Sequence, residues 1–471
     1  MKNLTLVLAI IFGIYGLPKT ALCAQKPNIV FLLADDLGWT GLKCFGSDFY
    51  ETPNLDRLAA QGTKFTNAYA ACTVCSPTRA SIMTGQYPAR LHLTDFIAGQ
   101  NRPYAQLKIP NWTKKLEHKH MTMAEALKAA GYQTALVGKW HLAPRPPDAE
   151  YGDPKHHGFN IQHLKPRQAR GYHLPRGFNQ EGESKSDYVT DYLTDKALEI
   201  IDQNKSQPFF LYFAYHTPHT PIQGRDDLVE YFKGKVNPRS RHKNPTYAAM
   251  VKSLDQSVGR ILDRLERHDL ARNTIVVFTS DNGGLTQRYG KHDGFTENLP
   301  LCRGKGSAYE GGVRVPTIIR WPNVTQPGTQ CDTPIMSIDY LPTVLEMAFI
   351  TNSVSVENMD GKSLIPLLKN PETQWQRDLF WHYPHYHAGG DGPYSAIRSG
   401  YWRLIEFHEN KKVELYNLKQ DLGEQINLAQ TSTKKADELR AKLNRWRHKV
   451  NAQMPEKNPN HDPARSTQVG R

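Results

Sequence analysis

The sequence predicts an α/β protein. It should have a large, mostly parallel sheet between helices, followed by a smaller C-terminal subdomain of antiparallel strands and a helix. Three observations carry this prediction. Several short runs are made mostly of apolar, β-branched or aromatic residues, as strands buried on both faces are. Stretches with apolar residues at helical spacing lie between them. Near residue 375 the rhythm changes to shorter strand-like pieces and one last helix.

Taken in order, Lys2, the apolar run from Leu4 to Leu17 and the small residues Thr20, Ala21 and Ala24 read as a secretory signal peptide over residues 1–24. Cys23 invites a lipoprotein reading, but Leu22 stands where a small residue should precede a lipidated cysteine, so cleavage near Ala24 ranks higher. The run is too short to span a bilayer. No later segment is apolar enough for a membrane helix, so an exported chain, periplasmic or secreted, is expected.

"NIVFLLA" (28–34) is the first strand, and Thr52 with Pro53 opens a helix. In "CTVCSPTRASIMTG" (72–85), Pro77 fits the first turn of a helix that runs to Gly85. Cys75 then sits at its N-terminus, where the dipole and free amides favour an anion. Arg79, one turn on, offers a fork of donors to the same side. Thr122 and Glu125 form a capping box for a helix that stops at Gly131. "QTALVG" (133–138), "PFFLYFAY" (208–215) and "TIVVFTS" (274–280) are the other buried strands. Met250, Leu254, Val258, Ile261 and Leu265 mark a helix lying on the sheet before the last of them. "GYWRLIEF", "KVELYNL" and a helix with Leu439, Leu443, Trp446 and Val450 on one face make up the C-terminal subdomain, residues 376–451 after a main domain of 25–375. Residues 452–471, polar and rich in Pro and Asn, read as a loose tail.

Lys plus Arg at 59 against Asp plus Glu at 46 gives a net charge of +13, which suits an anionic partner or simply a basic solvated surface. No nucleic-acid motif is visible, so a polyanion or an anionic small molecule is the better guess. After cleavage Cys44, Cys72, Cys75, Cys302 and Cys331 remain, an odd number in an oxidising compartment, so at least one thiol has another fate. A redox pair, half a zinc site and a structural disulfide compete as readings of Cys72 and Cys75. The first two lack their usual surroundings, while a disulfide from Cys72 to Cys44, Cys302 or Cys331 stays open.

Ligands of open α/β sheets bind beyond the carboxyl ends of the strands. Asp35 and Asp36, Lys139 and His141, His216 and His219, and Asp281 and Asn282 follow the four strands in turn. One Asp-Asp or Asp-Asn pair is usually a turn or a cap. Two such pairs, each ending a buried strand, favour a hard cation such as Ca²⁺ or Mg²⁺ over zinc.

Cys75-Ser76-Pro77-Thr78-Arg79 with "ASIMTG" resembles the signature of the sulfatase family, whose cysteine is oxidised to formylglycine. "DDLGW" (35–39), "TPNLDRLA" (52–59), "GKWHL" (138–142), "TPHTP" (217–221), "SDNGG" (280–284), "GKGSAYEGGVRVP" (304–316) and "ELYNL" (414–418) resemble family segments in family order. The resemblance implies an alkaline-phosphatase-like fold and hydrolysis of sulfate esters. The implied substrate is a sulfated carbohydrate, a glycosaminoglycan or algal-type polysaccharide or its oligosaccharides. It also implies a formylglycine-generating enzyme as maturation partner.

By the same resemblance Asp35, Asp36, Asp281, Asn282 and the modified Cys75 hold calcium, with Mg²⁺ as the alternative. Arg79, Lys139 and Lys305 neutralise the sulfate, His141 attends the formylglycine and His219 faces the leaving oxygen. His216 matches no motif histidine and is left out. Gly41 and Ala143 depart from common family residues at positions without a catalytic match. A substrate lip is expected at His92 in "ARLHLTD" and at His382, His385 and His387 in "LFWHYPHYHAGGDG", the latter equally readable as a packing corner. Two rival readings remain: a phosphate or phosphonate monoester hydrolase of the same fold, and an inactive relative that binds sulfated glycan.

Overall fold

The strand Asn28–Ala34 is buried at every residue because it lies near the middle of the main sheet, with helices on both faces. In the computed structural model, which describes residues 26–144, 152–286, 294–350 and 358–470, that sheet has eight strands. Their order is Thr329–Cys331, Thr63–Phe65, Thr317–Arg320, Thr274–Ser280, Asn28–Ala34, Phe209–Ala214, Gln133–Gly138 and Ile161–Leu164. The last five are mutually parallel, and Thr317–Arg320 runs against both of its neighbours. All four strands expected from apolar runs are therefore adjacent, and their carboxyl ends share one edge. The signal peptide expected over 1–24 lies outside the described residues.

Alternation across the strands divides the core. Val30, Leu32 and Ala34 face the helices Pro53–Gln61, Val189–Gln203 and Pro245–Arg267. Ile29, Phe31 and Leu33 face Cys75–Thr84, Met123–Ala129 and Tyr340–Met347. The capping box at Thr122 and Glu125 is present in both directions, Glu125 N–H to Thr122 Oγ1 at 3.1 Å and Thr122 N–H to Glu125 Oε2 at 2.7 Å. The helix carrying Cys75 ends at Gly85, which adopts φ +66° as a left-handed C-cap.

Asp378–Tyr383, Tyr394–Ser399, Trp402–Phe407 and Val413–Asn417 form a four-stranded antiparallel sheet, and the helix Thr433–Lys449 packs on it through Leu439, Leu443 and Trp446. Buried polar contacts fasten this unit to the main domain. Trp381 Nε1 donates to the Ala70 carbonyl at 2.9 Å, and the fully buried Arg403 pairs with Glu310 at 3.1 Å and with Glu424 at 3.2 Å.

The chain end differs from the expected loose tail. Glu456–Lys457 pairs antiparallel with Leu107–Lys108, and buried Asn458 donates to the carbonyls of Pro103 at 2.9 Å and Ala105 at 2.7 Å. The Arg465 guanidinium lies 3.4 Å from the centre of the Tyr104 ring. These anchors are polar and single, so they leave no apolar period in the sequence. The cysteines Cys44, Cys72, Cys75, Cys302 and Cys331 are all free, so the disulfide left open for Cys72 is not formed.

Within the small sheet Ser395 Oγ lies between the buried His382, whose Nδ1 is 2.8 Å away, and the half-buried His408, whose Nε2 is 3.0 Å away. Burial pushes His382 down to about 4, and burial together with His382 pushes His408 down to about 3. An unfolded histidine titrates near ~6.5, so the folded state binds fewer protons below that pH. The neutral rings' contribution is complete above pH ~6.5 and is lost as pH falls toward ~4, on the order of 1–3 kcal/mol per ring. Denaturant unfolding between pH 7 and 4.5 should show this loss, and His408→Gln should flatten the slope. Deleting residues 456–471 should lower the thermal midpoint, by roughly 2–4 °C for each kcal/mol of anchoring removed.

Candidate active site

The charged residues that end the parallel strands meet in one buried cluster. Asp35 and Asp36 follow Asn28–Ala34, and Asp36 takes φ 65°, which turns its carboxylate back toward the strand ends. Asp281 follows Thr274–Ser280, and its Oδ1 accepts the Asp36 N–H at 3.2 Å. Arg79, one turn into the Cys75–Thr84 helix and 0% exposed, donates to Asp281 Oδ2 through Nε at 2.9 Å and Nη2 at 2.6 Å. Its Nη1 donates to the Lys139 carbonyl at 3.1 Å. This forked pair is charge-assisted and geometrically specific, and it fixes the helix that carries Cys75 against the strand ends.

Two lysines complete the charge balance. Lys139 Nζ donates to Asp35 Oδ2 at 2.6 Å, and Lys305 Nζ donates to Asp36 Oδ2 at 2.8 Å. Burial opposes ionisation of Asp35, but Lys139, His219 and Arg79 outweigh it and hold the carboxyl well below the usual carboxylate range. Burial likewise opposes ionisation of Asp36, and Lys305 and His219 outweigh it. Burial raises the Cys75 thiol, with Lys139 and Lys305 pulling the other way.

Ligand atoms of Asp35, Asp36, Cys75 and His219 all lie within 4.8 Å of one another. Asp35 Oδ1 and Asn282 Oδ1 are buried and accept no hydrogen bond, while Asn282 Nδ2 donates to Asp36 Oδ1 at 2.8 Å. Buried oxygens without donors are costly unless something positive faces them. The carboxylate and amide oxygens of Asp35, Asp36 and Asn282 are hard donors that fit a calcium-type ion, whereas the Cys75 sulfur and His219 nitrogen in the same cluster are softer. Asp281 differs from the others in that Arg79 and the Asp36 amide already engage both of its oxygens.

The histidines fall into two groups. His219 Nδ1 lies 2.6 Å from the Thr220 carbonyl, so that nitrogen carries the proton and Nε2 faces the cluster, 3.6 Å from Asp36 Oδ2. His141 Nε2 lies 2.5 Å from the Ile97 carbonyl, which leaves buried Nδ1 as an unpartnered acceptor. Burial keeps His141 well below its ordinary pKa and lowers His219 too, where Asp36 opposes it.

Of the four histidines expected at a substrate lip, His387 alone lines the cleft. His92 Nε2 bonds the Asn451 carbonyl at 2.9 Å, and His382 bridges Ser395 and the Gln453 carbonyl. His385 meets Thr94 Oγ1 at 2.8 Å and stands edge-on to Trp112. Their rings fasten the small sheet to its surroundings, which is the packing-corner alternative.

A cleft of about 880 Å³ opens above the cluster, with Asp35, Cys75, Lys139, His141, His219 and Lys305 among its lining residues. His216 also lines it. Burial holds this ring well below its ordinary pKa, and its Nε2 has no hydrogen-bond partner. Its place at the end of Phe209–Ala214 was the available signal. Tyr172, which holds the His216–His219 turn by donating to both carbonyls, follows no strand of the sheet and had none.

The C-terminal subdomain sets the position of Lys305. Asp391 accepts from the Ala308 N–H at 2.9 Å and from Arg303 Nη1 at 2.8 Å, and its own N–H donates to the Gly306 carbonyl at 3.0 Å. Gly306 adopts φ +82°, and a Cβ there would lie 2.1 Å from His387 Nδ1, so only glycine lets the loop pass.

Comparison with known proteins agrees with this geometry. Residues 27–350 match the family described as Sulfatase, and residues 304–453 match the N-sulphoglucosamine sulphohydrolase C-terminal family. A sulfatase of Formosa agariphila is 35% identical, covering 91% of this chain and 90% of its own. N-acetylgalactosamine-6-sulfatase of Rattus norvegicus is 34% identical over 73% of this chain and 66% of its own. The solved structure of Ps i-CgsB in complex with k-i-k-neocarrahexaose superposes with a TM-score of 0.74 at 27% identity, over 93% of this chain and 96% of that one. Phosphonate monoester hydrolase of Agrobacterium radiobacter shares the fold, with a TM-score of 0.65 at 20% identity over 92% of this chain and 97% of that one. A nucleophile-signature helix pinned by Arg79 to carboxylate-bearing strand ends is thus set in a chain matched along nearly its whole described length, and that chain belongs to the sulfatase family, whose members are sulfuric ester hydrolases.

Proposed function

We propose that this sulfatase removes sulfate from an ester on a carbohydrate, using residue 75 as the nucleophile. The observation that carries this reading is the convergence of Asp35, Asp36, Cys75 and His219 within 4.8 Å at the floor of a cleft flanked by Lys139 and Lys305. An oligosaccharide needs a cleft larger than a sulfate, and about 880 Å³ supplies it. The carbohydrate named with one structural relative and the sugar sulfates named for others support the substrate class.

Each side chain has a derivable task. Lys139 and Lys305 face the cleft floor with cationic donors that match charge on the non-bridging oxygens of a sulfate. Arg79 stays charged and fixed by Asp281, holding the start of its helix and residue 75 in place. His141, with its proton on Nε2, keeps Nδ1 as an unpartnered acceptor in the cleft that residue 75 also lines. His219 has Nδ1 held by Thr220, so Nε2 is free to carry a proton to the departing sugar oxygen as general acid.

Conversion of Cys75 to formylglycine by a maturing enzyme would supply a hydrated aldehyde, with one hydroxyl to take up the sulfuryl group and a second to release it. Asp35, Asp36, Asp281, Asn282 and residue 75 would hold calcium, or magnesium in its place, which supplies Lewis acidity to the nucleophile and to a sulfuryl oxygen. Export through the N-terminal leader is part of the same proposal. No helix among the described residues is long and apolar enough to cross a membrane.

Purified protein should release sulfate from sulfated oligosaccharides and leave the matching phosphate esters nearly untouched. Equal release of phosphate would favour the phosphohydrolase reading, and release of neither would favour a glycan-binding relative. Peptide mass at residue 75 should show the thiol-to-aldehyde change, and Cys75→Ala should abolish turnover. His219→Ala should cost about 10²–10⁴ in kcat on sugar sulfates, with a smaller loss on 4-nitrophenyl sulfate, whose leaving group needs no proton. Chelation should remove activity, and added Ca²⁺ should restore it.

A further inference from the structure

Ile97 holds two parts of the site at once. Its N–H donates to Ser76 Oγ at 3.1 Å, one residue past Cys75, and its carbonyl accepts from His141 Nε2 at 2.5 Å. Phe96 and Ile97 also line the cleft. The segment from Thr94 to Gln100 belongs to no helix or strand, so side chains rather than a backbone ladder set its course.

Asp95 does this from inside the turn. It is 0% exposed, and the segment folds around its carboxylate: Oδ1 accepts from the Phe96 N–H at 2.9 Å and Oδ2 from the Gln100 N–H at 3.4 Å. The buried Tyr383 hydroxyl, at the end of Asp378–Tyr383 in the small sheet, donates to Oδ1 at 2.8 Å. His385 stands on the other side. Its Nε2 meets Thr94 Oγ1 at 2.8 Å, while its Nδ1, buried and without a hydrogen bond, lies 4.0 Å from Asp95 Oδ2. A buried carboxylate is a costly way to shape a turn unless its charge is used.

We propose that Asp95 is a positioning residue for the hydrolysis, acting through Ile97 on the His141 ring and on the helix start that carries residue 75. The link to hydrolysis rests on the sulfatase reading above; the hold of Asp95 on His141 does not.

That hold depends on one proton. Burial pushes the Asp95 carboxyl up to about 7, against the Tyr383 hydroxyl, the Phe96 and Gln100 amides and the charge of Lys114. Tyr383, His385 and Cys72 also face it, and burial keeps the hydroxyl and the thiol protonated and the imidazole neutral. A proton on Oδ2 turns the acceptor of the Gln100 amide into a donor, and His385 Nδ1 is an open acceptor 4.0 Å away. Reaching it draws the carboxyl off the turn. The turn is therefore held above about 7 and loosened as pH falls through that value.

The test measures kcat and KM on 4-nitrophenyl sulfate across pH for wild type, Asp95→Asn and Tyr383→Phe. Asparagine reproduces the protonated acid's pairing of one acceptor with one donor. The ratio of wild-type to Asp95→Asn kcat should be about tenfold or more at pH ~8 and shrink toward one at pH ~5.5, with KM little changed. Any limb that both proteins share cancels in this ratio. Tyr383→Phe removes a hydrogen bond that holds the carboxyl down, so the acid limb of its kcat should move to higher pH. A ratio that stays constant with pH, whether near one or above it, overturns the proposal, because a merely structural loss behaves that way. If Asp95→Asn does not fold, Tyr383→Phe decides alone, and an unmoved limb overturns it. Ring-nitrogen chemical shifts of His141, read by NMR on the full chain with labelled histidine and assigned through His141→Gln, need no turnover. They should place the proton on Nε2 in wild type at pH ~8 and show mixed tautomers in Asp95→Asn. That change in a protein that hydrolyses no ester would sink the sulfatase reading alone; an unchanged ring removes the positioning role.

Discussion

The site depends on one constraint: three carboxylates delivered by neighbouring strand ends can be buried together only if cations are buried with them. Asp35, Asp36 and Asp281 are almost wholly excluded from water, as are Arg79, Lys139 and Lys305. Isolated charges in such a place cost far more than a domain's net stability. Each cation therefore fixes a piece of chain that the catalytic reading needs. Arg79 fixes the nucleophile's helix, Lys139 fixes the turn that leads to His141, and Lys305 fixes the glycine-rich loop. Removing one partner of such a pair generally costs about 3–5 kcal/mol, so charge balance and catalytic geometry are hard to alter separately.

The same constraint explains what was legible in the sequence. "NIVFLLA" and "TIVVFTS" announce themselves because strands covered on both faces carry no charge and few polar residues, and the charge that follows each run marks where the cover ends. Thr63–Phe65, Ile161–Leu164, Thr317–Arg320 and Thr329–Cys331 belong to the same sheet but are three or four residues long, too short to show a period. Arg79, Lys139 and His219 could be placed from local pattern and strand position. Lys305 came only from resemblance to the family, because a lysine among glycines has no local signature.

Long-range polar contacts stayed out of sight for the same reason. Asp391 reaches back to Ala308 and Gly306, and Asn458 to Pro103 and Ala105, across separations no periodicity encodes. The histidine-rich stretch 382–387 misleads in the opposite way. Three histidines and two tyrosines in a short span suggest a sugar-binding face, yet His382 in the strand bonds Ser395, and His385 just past its end meets Thr94 and Trp112. Only at the turn beyond does His387 emerge beside the glycine-rich loop.

That turn has an implication for how the molecule comes into being. Residues 387–391 are the brace for the 303–308 loop, yet they leave the ribosome more than eighty residues after it. Until they arrive, the loop that carries Lys305 is held by Asp36, Gly284, Thr73 and Asn298 but lacks the Asp391 contacts to Ala308 and Gly306. A chain terminated before this turn thus carries its glycine-rich loop without the outer support that the small sheet supplies.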